Sequence, residues 1–332
     1  MRISYHTHNA QLINSVTKFI ETWNNDELEF VTQTSGSTGV PKTIRILKKY
    51  ARTSAMMTGR FLSLEQGNTA LLCLSPETIA GKMMVIRAIV LELDLIVCDV
   101  VSNPLEGLNS HVDFAAMVPI QAQQSLQKLD TVDKLIIGGG TISIPLWEEL
   151  ECKKTNIYQT YGMTETISHI AMRKIGDSDI AYKALPGVQF TSKDKALTIT
   201  ALDLGIKELQ TNDAVQLINE HSFNWLGRLD FVINSGGIKI HPEYIEDILS
   251  SCVPYPFFSA GLDDISLGQK QILCVESSDA NSIDIKQIKA KLNKYLTPKE
   301  VHFFENFKYT VSGKIDRIET LKTIQNAQKQ VL

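Results

Sequence analysis

The chain is poor in the features that would tie it to an oxidising compartment, a membrane or a nucleic acid. Of its 332 residues five are cysteine, at positions 73, 98, 152, 252 and 274, an odd number with no C-x-x-C pair. That pattern gives neither a disulfide framework nor zinc spacing, and predicts buried, reduced thiols in the cytosol. The most apolar stretch, 88–101, is interrupted by Glu92, Asp94 and Asp99 and is too short to span a bilayer. The N-terminus, Met1-Arg-Ile-Ser-Tyr-His-Thr-His8, lacks the long apolar core of a secretion signal, so no membrane insertion and a cytoplasmic location are expected. Net charge is −4, which argues against a polyanion-binding surface and hence against a nucleic-acid partner. Repeats and low-complexity runs are absent. Apolar residues are plentiful, 43% against 21% charged, enough for one large core or two smaller ones.

Along the first two thirds, short apolar runs alternate with helix-like stretches. Strands are expected at 28–33, 70–74, 95–98, 135–137 and 156–160, and helices at 82–91, 121–128 and 144–152. This alternation predicts an α/β fold with layered sheet and helices, in which ligand loops gather at the carboxyl ends of strands. The loops opening at Thr34, Gly138 and Tyr161 would all follow strands. Beyond Arg228, Phe231-Val-Ile-Asn234 and Ile238-Lys-Ile240 read as a hairpin turning at Gly236-Gly237. A helix from Pro242 to Ser250, strands near 257–261 and 272–276 and a helix near 285–295 complete a small α+β unit. The expected division is 1–229 and 230–332, with the boundary near Asp230.

The segment Thr34-Ser-Gly-Ser-Thr-Gly-Val-Pro-Lys42 packs four hydroxyls, two glycines and a lysine into nine residues. Glycines let the backbone come close to a ligand, and the hydroxyls and free N–H groups can hydrogen-bond phosphate oxygens. Lys42 adds positive charge. The spacing is not that of a Walker A loop, because Gly36 and Gly39 are three apart and Pro41 precedes the lysine. The bland alternative is a polar surface turn.

Three further segments follow in order: Tyr161-Gly-Met-Thr-Glu-Thr166, Gly227-Arg-Leu-Asp230 running on to Glu246, and Ser312-Gly-Lys-Ile-Asp-Arg317. Together with the Thr34 loop they resemble the acyl-adenylate-forming (AMP-binding) superfamily, which includes acyl-CoA synthetases and peptide-synthetase adenylation domains. The resemblance implies a large N-terminal domain and a small mobile C-terminal one. Because 33 residues precede Thr34, it also implies an N-terminal region trimmed to a helix near 9–23. The implied reaction uses ATP, Mg²⁺ and CoA as co-substrate: a small-molecule carboxylate attacks the α-phosphorus of ATP, and a thiol then takes the acyl group.

In that resemblance Lys314 contacts the carboxylate and the α-phosphate, Thr164 binds the α-phosphate and Glu165 holds Mg²⁺. Thr34, Ser35, Gly36, Ser37, Thr38, Gly39 and Lys42 cradle the phosphates. Gly139 and Gly140 lie against adenine and the acyl group, Tyr161 and Gly162 line the adenine side, and Asp213 and Arg228 meet ribose or phosphate. Asp230 is the hinge, and Gly236 and Gly237 leave room for pantetheine. The alternatives from the residues alone are a surface lysine for Lys314, a surface acid for Glu165 and a core aromatic for Tyr161. The chain departs from the family pattern at Asn212, Phe231, Lys308, Thr43 and Thr78, where relatives often carry glycine, an acid, proline, glycine and histidine respectively.

Thr78 and Arg87, on the stretch from Leu74 to Arg87, fall on the family's acyl-site helix. A guanidinium there suits a dianionic acid, and within the superfamily the chain most resembles compact o-succinylbenzoate–CoA ligases of menaquinone biosynthesis. The competing reading places Arg87 and Lys82 on a solvated helix face. Another acyl-CoA synthetase, a stand-alone enzyme loading a carrier protein, and a non-catalytic nucleotide-binding protein are the other functions these residues allow.

Overall fold

A computed structural model describes residues 1–33, 43–309 and 315–332. Its larger part is built on a twelve-stranded sheet. One half is parallel, in the order Ile3–His6, Asp94–Cys98, Thr69–Leu72, Val112–Met117, Val132–Ile137 and Asn156–Gly162. The other half is antiparallel: His169–Lys174, Tyr182–Ala184, Ser222–Arg228, Ile206–Asn219, Ala196–Ala201 and Gln189–Lys193.

The inner parallel strands Asp94–Cys98, Thr69–Leu72, Val112–Met117 and Val132–Ile137 are mostly apolar because both faces are covered. Leu72 and Phe114 face a core shared with helices Ala10–Asn24, Lys48–Leu62 and Ile79–Val90. Leu71 and Ala115 face the opposite core, closed by Pro119–Gln124 and Ile144–Glu151. The first helix shows why such elements form. Leu12, Val16, Phe19 and Trp23 recur at 4-3-4 spacing and make one buried stripe. Asn9 caps it by accepting from the N–H groups of Gln11 and Leu12. Phe19 and Trp23 meet Phe30 edge-on, which fastens this helix to a separate two-stranded hairpin, Glu29–Gln33 with Thr43–Leu47.

A second, six-stranded sheet begins after the short turn Leu229–Phe231. It contains Ile233–Ser235, Ile238–Ile240, Phe257–Asp264, Gly268–Glu276, Glu300–Phe304 and Gln328–Val331. Leu273, Val275, Val301 and Phe303 pack on one face with residues of helices Pro242–Leu249 and Ile285–Lys291, while Ile272, Cys274, Phe258 and Phe304 pack on the other with Phe307 and Leu321.

Four expectations need correction. Alternation of strand and helix stops at Gly162: from 169 to 228 the regular structure is β-strand with short 3₁₀ turns. The helix expected over 121–128 divides into Pro119–Gln124 and a 3₁₀ segment, Leu126–Thr131. Phe231 is not in a strand, because Leu229–Phe231 forms a 3₁₀ turn and the strand starts at Ile233. Cys73, Cys98 and Cys274 are buried as expected, but Cys152 is exposed and Cys252 partly so. Among the described residues no helix is long and apolar enough to cross a membrane.

Candidate functional site

The loops after strands Val132–Ile137 and Asn156–Gly162 are neighbours, because the strands that feed them pair in parallel. The first loop carries Gly139 and Gly140. The second carries Thr164 and Glu165 on a 3₁₀ turn, Thr164–Thr166, with Glu165 exposed. Thr166 fixes this turn: its hydroxyl oxygen accepts from the Met163 N–H at 2.9 Å and lies 2.7 Å from the Ser168 carbonyl, to which it can donate. Ile167 closes the turn at φ +69°, ψ −46°, an unfavourable conformation for a β-branched residue and one that often marks a functional loop. A side chain at Gly162 would sit 2.4 Å from the Ser168 carbonyl oxygen and 2.5 Å from the His169 Cα, so only glycine lets the returning strand lie this close.

Tyr161 lies edge-on to Tyr182 and Phe223 and donates its hydroxyl proton to Asp213 Oδ2 at 2.6 Å. Burial first, then the neighbouring carboxylate, raises the Tyr161 pKa and keeps the phenol protonated. The core-aromatic alternative and the site assignment therefore meet in one residue, whose ring packs while its hydroxyl holds an acid. Asp213, 5% exposed, also accepts from Trp225 Nε1 at 3.2 Å, with Arg228 Nη1 at 4.0 Å. An ionised carboxylate has about four acceptor sites, so capacity remains for further donors. Arg228 binds Asp230 at 2.6 Å, and Asn212 approaches the same oxygen at 3.5 Å. Asp213, Arg228 and Asp230 thus form one charged chain at the change of sheet. Gly236 and Gly237, at φ +57° and +83°, make the tight turn expected between Ile233–Ser235 and Ile238–Ile240.

The helix Ile79–Val90 departs most from the bland expectation. Every residue from Gly81 to Ala88 is buried, including Lys82 and Arg87, so the solvated-face reading is wrong for both. Lys82 satisfies its ammonium on the Glu77 carbonyl at 2.8 Å and lies over the Phe19 ring. Thr78 is the helix N-cap: its hydroxyl accepts from Gly81 N and donates to the Ser75 carbonyl. Arg87, 2% exposed, meets Ser168 Oγ at 2.7 Å, His169 Nδ1 at 3.5 Å and Met84 Sδ at 3.7 Å, all neutral. Among the described residues its Nε has no hydrogen-bond partner. Burial lowers its pKa to about 9, so it remains a cation at neutral pH, and among the described residues no carboxylate faces it. Burial, then Arg87, holds the His169 pKa well below its usual value, so the imidazole is neutral.

Ser168, His169, Thr58 and Trp225 were not singled out from the sequence. Thr34 to Gly39, Lys42 and Lys314 lie outside the described residues. Their flanks do not: Gln33 pairs with Thr43, and Tyr309 bridges to Ile315.

A family model described as "AMP-binding enzyme" matches residues 5–196. A solved acyl-CoA synthetase (AMP-forming)/AMP-acid ligase II-like protein from Dyadobacter fermentans is 34% identical, superposes with a TM-score of 0.64, and is matched over 96% of this chain and 95% of its own. The 2-succinylbenzoate–CoA ligase of a Geobacillus species is 26% identical over 95% of this chain and 73% of that protein. Its Salmonella typhimurium counterpart is 23% identical over 87% and 67%. The fold is also that of the o-succinylbenzoate coenzyme A synthetase of Bacillus subtilis, solved with ATP and magnesium ion (TM-score 0.73, 20% identity, 88% of this chain and 69% of that one). With the family model spanning more than half of the chain, and the Dyadobacter protein similar from end to end, this chain belongs to the AMP-binding enzyme family.

Proposed function

We propose that the chain is an ATP-dependent acid–thiol ligase of menaquinone biosynthesis, working in the cytoplasm on o-succinylbenzoate. The acid's aliphatic carboxylate would attack the α-phosphorus of ATP, releasing pyrophosphate, and the thiol of CoA would then displace AMP from the acyl-adenylate. The observation that carries the substrate reading is Arg87: a buried cation that, among the described residues, meets neutral groups and whose Nε has no hydrogen-bond partner there. Burying such a charge is costly unless an anion arrives to meet it. The second, ring carboxylate of o-succinylbenzoate is an anion of that kind.

The nucleophile is already a carboxylate, so the protein's work is to position anions and offset charge. Tyr161, Gly162, Gly139 and Gly140 would line the adenine and acyl side, and Asp213 would accept from ribose hydroxyls through its remaining acceptor sites. Arg228 would sit against ribose or phosphate, with Thr164 on the α-phosphate. Thr34 to Gly39 and Lys42 would cradle the outer phosphates. Glu165, an exposed carboxylate beside Thr164, offers the hard oxygen donor that Mg²⁺ prefers, and the ion would supply charge neutralisation on the phosphates. Residues 230–332 would swing about Asp230, bringing Lys314 to the reacting carboxylate in one orientation and Gly236-Gly237 to pantetheine in the other.

Carboxylate-dependent pyrophosphate release from ATP tests the reading across a panel of acids, with and without CoA. The expected result is strongest release with o-succinylbenzoate and a CoA thioester when CoA is present. Lys314→Ala should impair pyrophosphate release far more than thioester formation from supplied acyl-adenylate. If no acid elicits release, the ligase assignment is wrong.

A further inference from the structure

The buried polar group beside Arg87 is ordered by three elements: helix Lys48–Leu62 supplies Thr58, helix Ile79–Val90 supplies Arg87, and strand His169–Lys174 with the residue before it supplies His169 and Ser168. Thr58 Oγ1 lies 3.1 Å from the Ser54 carbonyl and 3.0 Å from His169 Nε2. A hydroxyl has one proton to donate. A carbonyl can only accept, so the Thr58 proton goes to Ser54, and His169 Nε2 must be the donor to Thr58. The other ring nitrogen is therefore bare. It faces Arg87 Nη2 at 3.5 Å and Ser168 Oγ at 3.4 Å. A proton on Nδ1 would set N–H against the Arg87 N–H at 3.5 Å, so the arrangement favours the Nε2–H tautomer.

We propose that His169 is a specificity-determining positioning residue: locked by Thr58 in the Nε2–H form, it orients Arg87 as a neutral acceptor and so leaves the guanidinium charge for the second carboxylate of the acyl substrate. A buried histidine is commonly just a packed core residue, and Thr58 alone would satisfy that role. The bare nitrogen turned to an unpaired cation is what a core role leaves unexplained. An acid at this position would consume the charge internally. An apolar residue would leave Arg87 Nη2 on Ser168 alone, free to lose its aim. The inference rests on the ligase reading with Arg87 in the acyl pocket.

The test compares o-succinylbenzoate with 4-oxo-4-phenylbutanoate, which lacks the ring carboxylate, in wild type, His169→Phe, His169→Asn and Thr58→Val. KM and kcat are measured for each acid, and KM for ATP. The hydrogen bond is to a charged group, so His169→Phe should reduce the preference for the dianion about tenfold. The loss should appear in KM for the dianion, with KM for ATP unmoved. Asparagine, whose Oδ1 can stand where Nδ1 stood, should restore most of the preference. Thr58→Val, which frees the tautomer, should fall between. If His169→Phe does not fold, the asparagine and Thr58 variants decide. An unchanged preference in the Phe and Val variants overturns the proposal, as does equal weakening of both acids and ATP. A wild type that releases pyrophosphate but shows no preference for the dianion overturns the Arg87 reading with it. A wild type that releases none overturns the ligase reading itself.

Discussion

A partly buried arginine and a fully buried one are treated in opposite ways. Arg317, in the small sheet's half of the chain, is enclosed by acids: Nη2 is 2.7 Å from Glu246 and Nη1 3.9 Å from Glu243, while the guanidinium lies 5.0 Å from the Phe231 ring and 5.7 Å from that of Phe258. Arg87, in the large sheet's half, is more deeply buried and among the described residues its hydrogen-bond partners are Ser168, His169 and Met84. A buried ion pair solves a desolvation problem within the fold, whereas a buried lone cation leaves it unsolved. The first arrangement is architecture. The second costs stability, and under the proposed function a bound anion would return it. Phe231 offers Arg317 a ring face in place of a third carboxylate.

The largest effect should come from breaking the architectural pair. Arg317→Met strands two mostly buried carboxylates, and on the order of 3 kcal/mol of stability should be lost at neutral pH. Burial already raises the pKa of both Glu243 and Glu246, with Arg317 pulling against it. Without Arg317 they would rise further and protonate as pH falls, so the loss should shrink as pH is lowered from neutral. Denaturant melts of the two proteins across that range would check both size and sign. Arg87→Met should do the reverse. Stability should hold or rise, because an uncompensated charge has been replaced by an apolar chain. In contrast, kcat/KM for the dianionic acid should fall about a hundredfold, or roughly 2.7 kcal/mol. If Arg87→Met instead lowers the melting temperature as Arg317→Met does, the distinction between the two arginines fails.

How much of this was legible beforehand depends on the region. Four strands of the parallel half, Thr69–Leu72, Asp94–Cys98, Val132–Ile137 and Asn156–Gly162, could be foreseen from short runs between helix-like stretches, whereas Ile3–His6 and Val112–Met117 were not expected; Leu71 and Leu72 are buried on opposite faces. The antiparallel half could not. Its strands turn back through tight connections such as Asp194-Lys195, both at positive φ without any glycine to announce it. Tyr161, Asp213 and Arg228 stood out because their segments are distinctive, and the structure gathers them. Arg87 was visible as a residue but not as a buried one. Charged side chains on a helix suggest a wet face, and only the covering by neighbouring elements removes it. His169 left no local signal at all. It becomes significant because Gly162 pairs with it across adjacent strands, a contact no spacing rule encodes.

Asp213 tests whether a charge held partly by neutral donors behaves like Arg87. Tyr161→Phe removes the 2.6 Å hydrogen bond from the hydroxyl but keeps the ring packing against Phe223 and Tyr182. A stability loss of about 1–2 kcal/mol is expected. If Asp213 receives the ribose, KM for ATP should rise several-fold while KM for the acid stays within error. A change in the acid's KM alone would separate Tyr161 from the nucleotide.

The smallest effect should lie in a carboxylate of the small sheet whose charge is fully answered. Glu300 meets Lys270 at 2.7 Å, Lys329 at 2.8 Å and His302 at 2.9 Å. Burial pushes its pKa upward, but these hydrogen bonds prevail and bring it to about 2. A folded-state value below the unfolded one, about 4.3 for glutamate, means the contribution is complete above that pH and disappears as pH falls toward 2. Lys329 is half exposed, so water screens part of the attraction, and Glu300→Gln should cost on the order of 1 kcal/mol at pH 6. Melting both proteins from pH 6 to 3 should show the gap closing below about pH 4.3. A gap that stays constant to pH 3 would mean the cluster holds through its shape and packing. Glu300 would then not belong with Arg317 among the charges the fold has answered internally.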